Sequence, residues 1–370
     1  MDRGASRRAL GAVDEVCRTA TTPTELHRGL ARVLSAAVPF DRWCGLTFDP
    51  ETGLPTGGYH AEGFPMELMP RLLELEYGAV WDVGRLAEVA RADSPVSILS
   101  RATADDPARS ARFRDVIEPA GLRHEMRVVH RRGDVSWGAL VLARSGDLAD
   151  FTPAETAFME TVAPRVAAAL QRVTVLVEDG EPVEKDTPGV VTLTVDDAGV
   201  AVASGTPTAR QWMGAIDDAM LDEVPIAVAS LARTAVVREG PVRCRLRART
   251  GRWLTLHAER LSDGTVSVVI EPSRPSDVAS ILGEAYRLTA REREIVGLVV
   301  RGFSNAEIAR RLWLSPYTVA DHLKSVFEKT GVGSRGELTS RLFFGHYLPR
   351  ADGAALADGK APERAAHGKG

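Results

Sequence analysis

Polar side chains spaced three and four residues apart between positions 316 and 330 offer the clearest chemistry in this sequence. Asp321 and Lys324 fall on one stripe of a predicted helix, and Ala320 lies beside them. A lysine donates hydrogen bonds to the acceptors of guanine, a carboxylate accepts one from the amino group of cytosine, and an alanine contacts only a thymine methyl. This is the chemistry of reading base edges in the major groove of DNA.

Four helix-start signals predict the elements that position this stripe. Thr289, Ser304 and Ser334 each stand three residues before a glutamate, and Ser315 stands directly before Pro316. A hydroxyl and a carboxylate at this spacing satisfy two backbone N–H groups of a helix start, and proline is favoured at the first helical position. The predicted helices span residues 290–300, 305–312, 316–330 and 335–344. Because only a short turn separates the second from the third, the pair is a predicted helix-turn-helix.

The third predicted helix is amphipathic. Its apolar residues are spaced to pack inward, and these are Val319, Leu323, Val326 and Phe327. The opposite stripe consists of Tyr317, Asp321, Lys324 and Glu328. Such a helix behind a short turn can enter a major groove, and its N-terminus, with Ser315 and free N–H groups, suits a phosphate.

The same region resembles the LuxR-type helix-turn-helix family over about 65 residues. The resemblance is carried by residues 288–294 (LTARERE), 302–309 (GFSNAEIA), 314–324 (LSPYTVADHLK) and 329–335 (KTGVGSR). It implies a transcription regulator with a four-helix DNA-binding domain, here residues 281–346 with the motif at about 305–324, that usually acts as a dimer.

The resemblance also implies which residues contact DNA. In the family, base edges are contacted from the positions of Ala320, Asp321 and Lys324. Contacts to the sugar-phosphate backbone come from the positions of Ser304, Asn305, Ser315, Thr318, Lys329 and Arg335. Ala320 departs from the family pattern, in which a longer polar side chain is often found. The resemblance therefore implies that base readout depends more on Lys324, which we expect to read guanine, and on Asp321, which we expect to read cytosine. For His322, contact with DNA and packing between helices are equally open.

Residues 1–177 are expected to form an α+β sensory domain. Thr22 and Thr152 begin capping signals for an opening and a closing helix, and Pro164 is expected to interrupt the closing one. Between them we expect strands at 43–48, 57–60 and 95–99, helical stretches at 66–77 and 108–117, and a hairpin at 124–143. This order resembles the GAF domain, a family whose members bind varied small ligands or only dimerise. The resemblance allows a small-molecule effector without identifying it.

Residues 178–189 are charged, contain proline and glycine and lack apolar periodicity, which predicts a linker. After it we expect strands at 190–195 and 200–203, a helical stretch at 219–237, and strands at 242–248, 252–258 and 265–270. This order resembles a PAS-type fold over residues 190–273. Residues 350–370, rich in alanine, glycine and charge, are expected to be disordered. The expected fold class is therefore multidomain: an α+β GAF-like domain, an α+β PAS-like domain and an all-α four-helix LuxR-type domain.

The distribution of charge agrees with a separate nucleic-acid-binding part. Residues 284–350 hold 11 Lys and Arg against 7 Asp and Glu, a net charge of +4, whereas residues 1–283 carry −8 and the whole chain −4. A basic segment on an acidic body suggests a polyanion-binding module. Three scattered cysteines exclude a disulfide framework and fit a reducing cytoplasm. No apolar run is long enough to span a membrane, and none follows the basic N-terminus as in a secretory signal.

Patterns typical of enzymes are missing from the sequence. It has no G-x-x-x-x-G-K-[ST] phosphate-binding loop, no G-x-S-x-G and no H-E-x-x-H. Four histidines have no Cys or carboxylate at metal-ligand spacing, and these are His60, His124, His130 and His257. We therefore expect no enzyme activity, no metal and no cofactor.

The favoured interpretation is a cytoplasmic, homodimeric transcription regulator that binds double-stranded DNA at a two-fold site. A ligand- or partner-driven change in dimerisation or domain packing is expected to free the recognition helix. One alternative is a small-molecule sensor or interaction scaffold whose helix-turn-helix-like helices serve dimerisation. Another is a GAF or PAS enzyme or cofactor protein. A steep loss of DNA affinity with salt separates the regulator from the scaffold, because a scaffold has no phosphates to neutralise.

Overall fold

The first half of the chain is built around a five-stranded antiparallel sheet. The structure is a computed structural model that describes residues 3–60, 65–176 and 187–343. Its first elements are α1 (Arg3–Thr19), α2 (Pro23–Leu34), β1 (Arg42–Phe48), β2 (Pro55–His60), α3 (Met69–Tyr77), α4 (Leu86–Val89), β3 (Val96–Ile98), α5 (Leu99–Ala102), β4 (His124–Arg132), β5 (Val135–Arg144) and α6 (Pro153–Val175). Single 3₁₀ or π turns occur at Met66–Leu68, Pro107–Arg109 and Phe113–Ile117. The strand order is β2-β1-β5-β4-β3.

Helices α2 and α6 cover one face of this sheet, and α1 packs on these two helices. Thr22 and Thr152 cap α2 and α6 as predicted, since each hydroxyl accepts the N–H of the residue three positions on. The core beneath these helices includes Leu26, Leu30, Met126, Leu140 and Val162. The expected interruption at Pro164 is wrong, because α6 continues past it. The proline removes one backbone hydrogen bond, and burial of the residues on either side holds the helix together.

The second half begins with another five-stranded antiparallel sheet. Its elements are β6 (Gly189–Asp196), β7 (Gly199–Gly205), α7 (Pro207–Ala215), β8 (Met220–Leu221), β9 (Val224–Pro225), α8 (Ile226–Val237), β10 (Val242–Arg247), β11 (Trp253–Arg260) and β12 (Val266–Pro272). The strand order is β10-β11-β12-β6-β7, so both sheets follow the order 2-1-5-4-3 when strands are counted along the chain within each sheet. The five main strands lie within two residues of their predicted bounds. The PAS-type assignment stays a prediction.

The helix expected over residues 219–237 is shorter than predicted. A small hairpin of β8 and β9 replaces its first part, and α8 begins only at Ile226. Asp222 in the hairpin turn has a φ of +51°, a left-handed conformation that ends any helix. Pro225 then lacks the N–H that a helix interior needs. The helical pattern of apolar residues was real, but it belongs to α8 alone.

Helix α8 is enclosed on all sides. Its residues from Ile226 to Ala235 are all buried, because the second sheet covers one side while α3 and β2 cover the other. A helix that is apolar all round is typical of such a position. The buried guanidinium of Arg233 pairs with Glu74 of α3 and also donates to the Asp196 carbonyl oxygen at 2.9 Å. The two sheets therefore share one hydrophobic helix.

The chain continues with five helices. These are α9 (Pro275–Ala285), α10 (Ala290–Val300), α11 (Asn305–Leu312), α12 (Pro316–Thr330) and α13 (Arg335–Phe343). The last four agree with the predicted bounds to within one residue, whereas α9 was not predicted. Helix α9 packs against α6, and its residues Val278 and Ile281 are buried there. At its C-terminal end, Glu284 pairs with Arg293 of α10 at 2.6 Å. Helix α9 thus joins the first half of the chain to the last four helices.

Parts of the expected organisation lie beyond the described ranges. Most of the expected linker, residues 178–186, and the expected tail at 350–370 are outside the described residues. Within the part that the structure describes, no helix combines the length and the apolar character that crossing a membrane requires.

Candidate nucleic-acid interface

The ends of α12 are fixed by residues next to it in the sequence. Ser315 Oγ accepts the N–H of Thr318 at 3.0 Å, Pro316 takes the first helical position, and Gly331 ends the helix with a φ of +66°. A hydroxyl at the start and a left-handed glycine at the end are the usual caps of a helix. These caps decide which side chains lie on each stripe of α12.

The inner stripe of α12 is anchored in the domain core. Val319, Leu323 and Val326 are buried, and α12 packs on both α10 and α11. Phe327 is half-buried at the edge of this contact. The inner stripe therefore lies as the amphipathic pattern predicted, and the helix cannot turn about its axis without breaking the core.

The outer stripe of α12 is exposed. Ala320, Asp321 and Lys324 lie on it, together with Tyr317, of which 77% is exposed. Among the described residues, no hydrogen bond or ion pair holds the side chain of Asp321 or Lys324. Both can bind an outside partner without losing an internal one. In this arrangement the described residues leave the outer stripe uncovered, and the expected freeing of the recognition helix stays a prediction.

The side chain of Lys329 forms an ion pair within the domain. Its ammonium lies 2.6 and 2.8 Å from the two carboxylate oxygens of Glu292 on α10, and Ser325 donates to the same carboxylate at 2.7 Å. Burial alone raises the pKa of Glu292, but Lys329, Thr289 and Ser325 outweigh it and lower that pKa to about 2. An ionised Glu292 therefore clamps α12 to α10. The sequence showed Glu292 only as part of a capping box.

Arg335 is also bonded within the domain. Its guanidinium donates to Asn305 Oδ1 at 3.2 Å, to the Phe303 carbonyl oxygen, and to the Val299 carbonyl oxygen at 3.5 Å. It thereby ties the start of α13 to the end of α10 and the start of α11. The structure thus gives Lys329 and Arg335 internal partners, which the resemblance had not indicated.

The remaining residues expected to contact DNA lie at helix starts or beside the outer stripe. Ser304 caps α11 and donates its hydroxyl to Glu307 at 2.7 Å. Thr318 Oγ1 lies 2.9 Å from Ser315 Oγ at the start of α12. His322 is half-buried between the two stripes of α12. These positions leave the first N–H groups of two helices directed away from their own helices, where anions are favoured.

Sequence reasoning missed Trp313 as a candidate contact. It lies in the turn between α11 and α12, is 93% exposed, and has a φ of +56°. Two exposed cations stand nearby on α11, Arg310 and Arg311, and the Arg311 guanidinium lies 4.1 Å from the centre of the Phe303 ring. The only sequence signal for Trp313 was a large aromatic residue in a three-residue turn.

Metal ligands are not assembled in the described ranges, where no three His, Cys, Asp or Glu side chains come together. His124 lies 3.4 Å from Asp150, and His257 lies 3.7 Å from Glu271. His130 is buried, and desolvation lowers its pKa to about 3, so it is neutral at physiological pH. Single carboxylate contacts of this kind hold side chains in place.

A small cavity between α3 and the first sheet bears on ligand binding. It measures about 60 Å³ and is lined mainly by apolar side chains, including Leu73, Tyr77 and Ile117. Arg127 in its wall pairs with Glu76 at 2.6 Å and with Glu125 at 3.1 Å. A cavity of roughly 150 Å³ is needed to admit benzene. This one is too small for a ring unless α3 moves.

Comparison with protein families identifies two parts of the chain. Residues 286–342 match the family described as bacterial regulatory proteins, luxR family, and residues 14–170 match the GAF domain. The helices α10 to α13 are thus a LuxR-type helix-turn-helix domain, and the first sheet with its helices is a GAF domain. The LuxR-type and GAF resemblances drawn from the sequence are thus confirmed, whereas the PAS-type resemblance stays a prediction.

The curated relatives match short stretches of the chain. The monoamine regulon transcriptional regulator of Klebsiella aerogenes is 57% identical over 54 residues, which is 15% of this chain and 24% of that protein. The transcriptional regulatory protein UhpA of Escherichia coli strain K12 is 43% identical over 63 residues, which is 17% of this chain and 32% of its own. The chain thus spans a third or less of the length of these relatives. A solved GAF domain/HD domain protein from Geobacter sulfurreducens is similar over 45% of this chain and 97% of its own, at 21% identity and with a TM-score of 0.31.

Proposed function

We propose that this protein, which carries a GAF domain and a C-terminal LuxR-type helix-turn-helix domain, is a sequence-specific DNA-binding transcription regulator and not an enzyme. Helix α12 is its recognition helix, and Ala320, Asp321 and Lys324 read base edges. One observation carries the proposal: Asp321 and Lys324 are exposed without a partner among the described residues, on a helix whose opposite stripe is buried. A rigid helix that presents unpaired donors and acceptors matches what the major groove offers.

Phosphate contacts supply affinity and orientation in this proposal. The starts of α11 and α12 provide them through backbone N–H groups and through Ser304, Asn305, Ser315 and Thr318, with His322 beside the outer stripe. Lys329 and Arg335 add positive charge to the same side. Their main task is to position α12 and α13, which is supported by their bonds to Glu292 and Asn305.

We place the protein in the cytoplasm as a homodimer on a two-fold DNA site. A single recognition helix reads few base pairs, and two copies one helical turn apart give the specificity that a regulator needs. The GAF domain supplies the input, by an effector or by a partner. Control reaches α10 through α9, which packs on α6 of the GAF domain and pairs with α10 through Glu284 and Arg293.

An interaction scaffold is the second candidate. Trp313 and Tyr317 are 93% and 77% exposed and lie four positions apart at the start of α12. Exposed aromatic side chains are enriched at protein interfaces. In this alternative the helix-turn-helix binds a second protein chain instead of a groove of DNA.

Selection of bound fragments from fragmented bacterial genomic DNA tests the two candidates. The full chain is compared with Lys324→Ala at the same salt, and with Arg260→Ala, which removes an exposed positive charge from β11 outside the helix-turn-helix. A regulator yields a short two-fold motif that Lys324→Ala relaxes and Arg260→Ala leaves unchanged. A scaffold yields no motif and no steep loss of DNA affinity between low and high salt.

A further inference from the structure

The turn between α11 and α12 presents a large aromatic ring to solvent. Trp313 in this turn is 93% exposed, and Tyr317, four positions on, is 77% exposed. Within the described part of the chain, no hydrogen bond holds the indole N–H of Trp313 or the hydroxyl group of Tyr317. Aromatic side chains with a polar group are enriched at interaction surfaces, because they bring both contact area and a hydrogen bond. The start of α12 therefore carries two such side chains with their polar groups unused.

The backbone of Trp313 has a conformation that glycine adopts with less strain. Its φ is +56°, and it occupies the C-terminal cap of α11, where helices commonly place a left-handed glycine. The N–H groups of Trp313 and Leu314 both donate to the Ala309 carbonyl oxygen, and Arg291 donates to the Leu312 carbonyl oxygen at 2.8 Å. These bonds hold the turn without using the indole ring. Strained residues of this kind occur mainly at functional sites, so the exposed ring itself is the feature that needs a function.

The surroundings of the two aromatic side chains indicate what they contact. Tyr317 belongs to the outer stripe of α12, which continues with Asp321 and Lys324 four and seven positions further on. On the other side of the turn, α11 ends with two exposed cations, Arg310 and Arg311. A positively charged surface attracts a polyanion. The aromatic pair thus continues the stripe that is proposed to enter the DNA groove, and the nearby charge favours a nucleic-acid backbone as its partner.

The chemistry of the two side chains fits phosphate and sugar. An indole N–H only donates and a phenol hydroxyl donates readily, whereas the phosphate oxygens of DNA only accept. Neither side chain carries a charge, so neither replaces a counterion when it binds a phosphate. A contact of this kind adds affinity that depends little on salt and does not depend on the base sequence.

We propose that Trp313 and Tyr317 bind the sugar-phosphate backbone of duplex DNA beside the groove that α12 enters, with the indole N–H and the phenol hydroxyl each donating to a phosphate oxygen. The inference rests on the proposed DNA binding by α12 and adds an uncharged contact to it. Because the backbone bonds of the turn fix Trp313 relative to α12, the contact also orients the helix in the groove.

Binding of the full chain to two duplexes of equal length tests the proposal. One duplex carries the site recovered by the selection described above, and the other carries the same bases in shuffled order. Trp313→Gly should fold, because glycine suits the left-handed turn, and it should weaken binding to both duplexes by the same factor, about 10-fold. The slope of log affinity against log salt should stay as in the wild type. Wild-type affinity in this variant, or a changed slope, would overturn the proposal.

Controls separate this contact from other effects. Trp81→Ala removes a tryptophan of the GAF domain that is 67% exposed, and it should leave both affinities unchanged. Tyr317→Phe removes only a hydroxyl group and should weaken both duplexes by about 3- to 10-fold, so unchanged binding would exclude that hydroxyl. Lys324→Ala tests the proposed function itself. If Lys324→Ala relaxes the base preference while Trp313→Gly binds as the wild type does, the helix reads DNA and only the aromatic contact is wrong.

The indole N–H signals of the wild type provide a direct measurement. The chain has six tryptophans, so ¹⁵N-labelled protein gives six such signals, assigned with single Trp→Phe variants. Addition of either duplex should shift the Trp313 signal and leave the Trp81 signal in place. A Trp313 signal that DNA does not move would refute the contact. A Trp313 signal that moves when the protein alone is concentrated would also refute it, because the ring would then pack against a second copy of the chain.

Discussion

Asp49 and Arg245 lie 196 positions apart in the chain and form a buried bidentate ion pair. Arg245 Nη2 is 2.7 Å from Asp49 Oδ1, its Nε is 3.0 Å from Oδ2, and neither residue is more than 1% exposed. The other terminal nitrogen of Arg245 donates to the Asp277 carbonyl oxygen and to Ser280 Oγ of α9, both at 2.8 Å. One guanidinium thus connects the GAF domain, the second sheet and α9.

Removal of Asp49 should strongly destabilise the protein, because it leaves the buried Arg245 with only the half-exposed carboxylate of Glu51, at 2.7 Å, as a counter-charge. Breaking a buried pair in this way costs about 3–5 kcal/mol, so Asp49→Ala should lower the free energy of unfolding by that amount. Urea unfolding of the full chain measures it. Asp14→Ala is the control, since it breaks the exposed Asp14–Arg165 pair, and it should change stability by less than about 1 kcal/mol. Equal effects of the two substitutions would contradict the role given to Asp49.

The Glu292–Lys329 pair should make the stability of the LuxR-type domain depend on pH. The pKa of Glu292 falls from its ordinary value of 4.5 to about 2 in the folded chain, so its contribution is present above pH 4.5 and is lost as the pH falls toward 2. Glu292→Gln should therefore destabilise the protein by about 3 kcal/mol at pH 7, and by progressively less below pH 4.5.

Thermal unfolding of the wild type and Glu292→Gln at several pH values checks this expectation. Glu294→Gln serves as the control, because Glu294 pairs with Arg291 on the surface and should show little difference at any pH. A difference between wild type and Glu292→Gln that does not change between pH 7 and pH 3 would count against the pair.

Trp313 should reduce the free energy of unfolding of the chain, because it holds an exposed aromatic ring in the left-handed conformation. A residue with a side chain loses roughly 1–2 kcal/mol in the left-handed conformation, and a 93% exposed ring recovers little of this by burial. Trp313→Gly should thus raise the free energy of unfolding by about 1 kcal/mol. Tyr317→Gly, at an exposed helical position, should lower it instead. A destabilised Trp313→Gly would show that the ring packs against something.

Asp321→Ala should change the affinity for DNA and the preference for one base pair in opposite directions. Removal of a carboxylate near phosphates reduces repulsion, so binding to unrelated DNA should strengthen, while preference for the selected base pair should fall by about 1–3 kcal/mol. Competition assays with the selected site and a site changed at one base pair measure both quantities. Glu328→Ala, which removes the same charge further along α12, should strengthen binding without altering base preference. Unchanged base preference in Asp321→Ala would exclude it as a base reader.

The helices of the LuxR-type domain could be predicted because their signals are local. Ser304, Ser315 and Thr289 cap their helices through backbone groups only three residues away. The local sequence pattern is therefore enough to predict each hydrogen bond that the structure shows. Helix α9 was not predicted, because its N-cap position holds Arg274, whose side chain offers no acceptor oxygen. There the carboxylate of Asp277 alone satisfies the N–H at the start.

The sequence predicts only in part which site residues are exposed and which are bonded within the domain. Periodicity placed Asp321 and Lys324 on the exposed stripe, because that stripe follows from the buried one. It gave no sign that Lys329 and Arg335 are bonded inside the domain, since Glu292 and Asn305 lie 37 and 30 residues from them. The contact of Asp49 with Arg245 spans two domains and has no local signal at all.

The enclosed helix α8 limits where this chain can be cut or joined to another protein. Its apolar surface is shared between the GAF domain and the second sheet, so a cut between them would expose a hydrophobic face on both fragments. Such fragments would aggregate or rejoin in water instead of folding separately. The two sheets should therefore unfold in one cooperative transition, and a functional chimera must exchange them together. For recombination between proteins, the two sheets therefore form a single module.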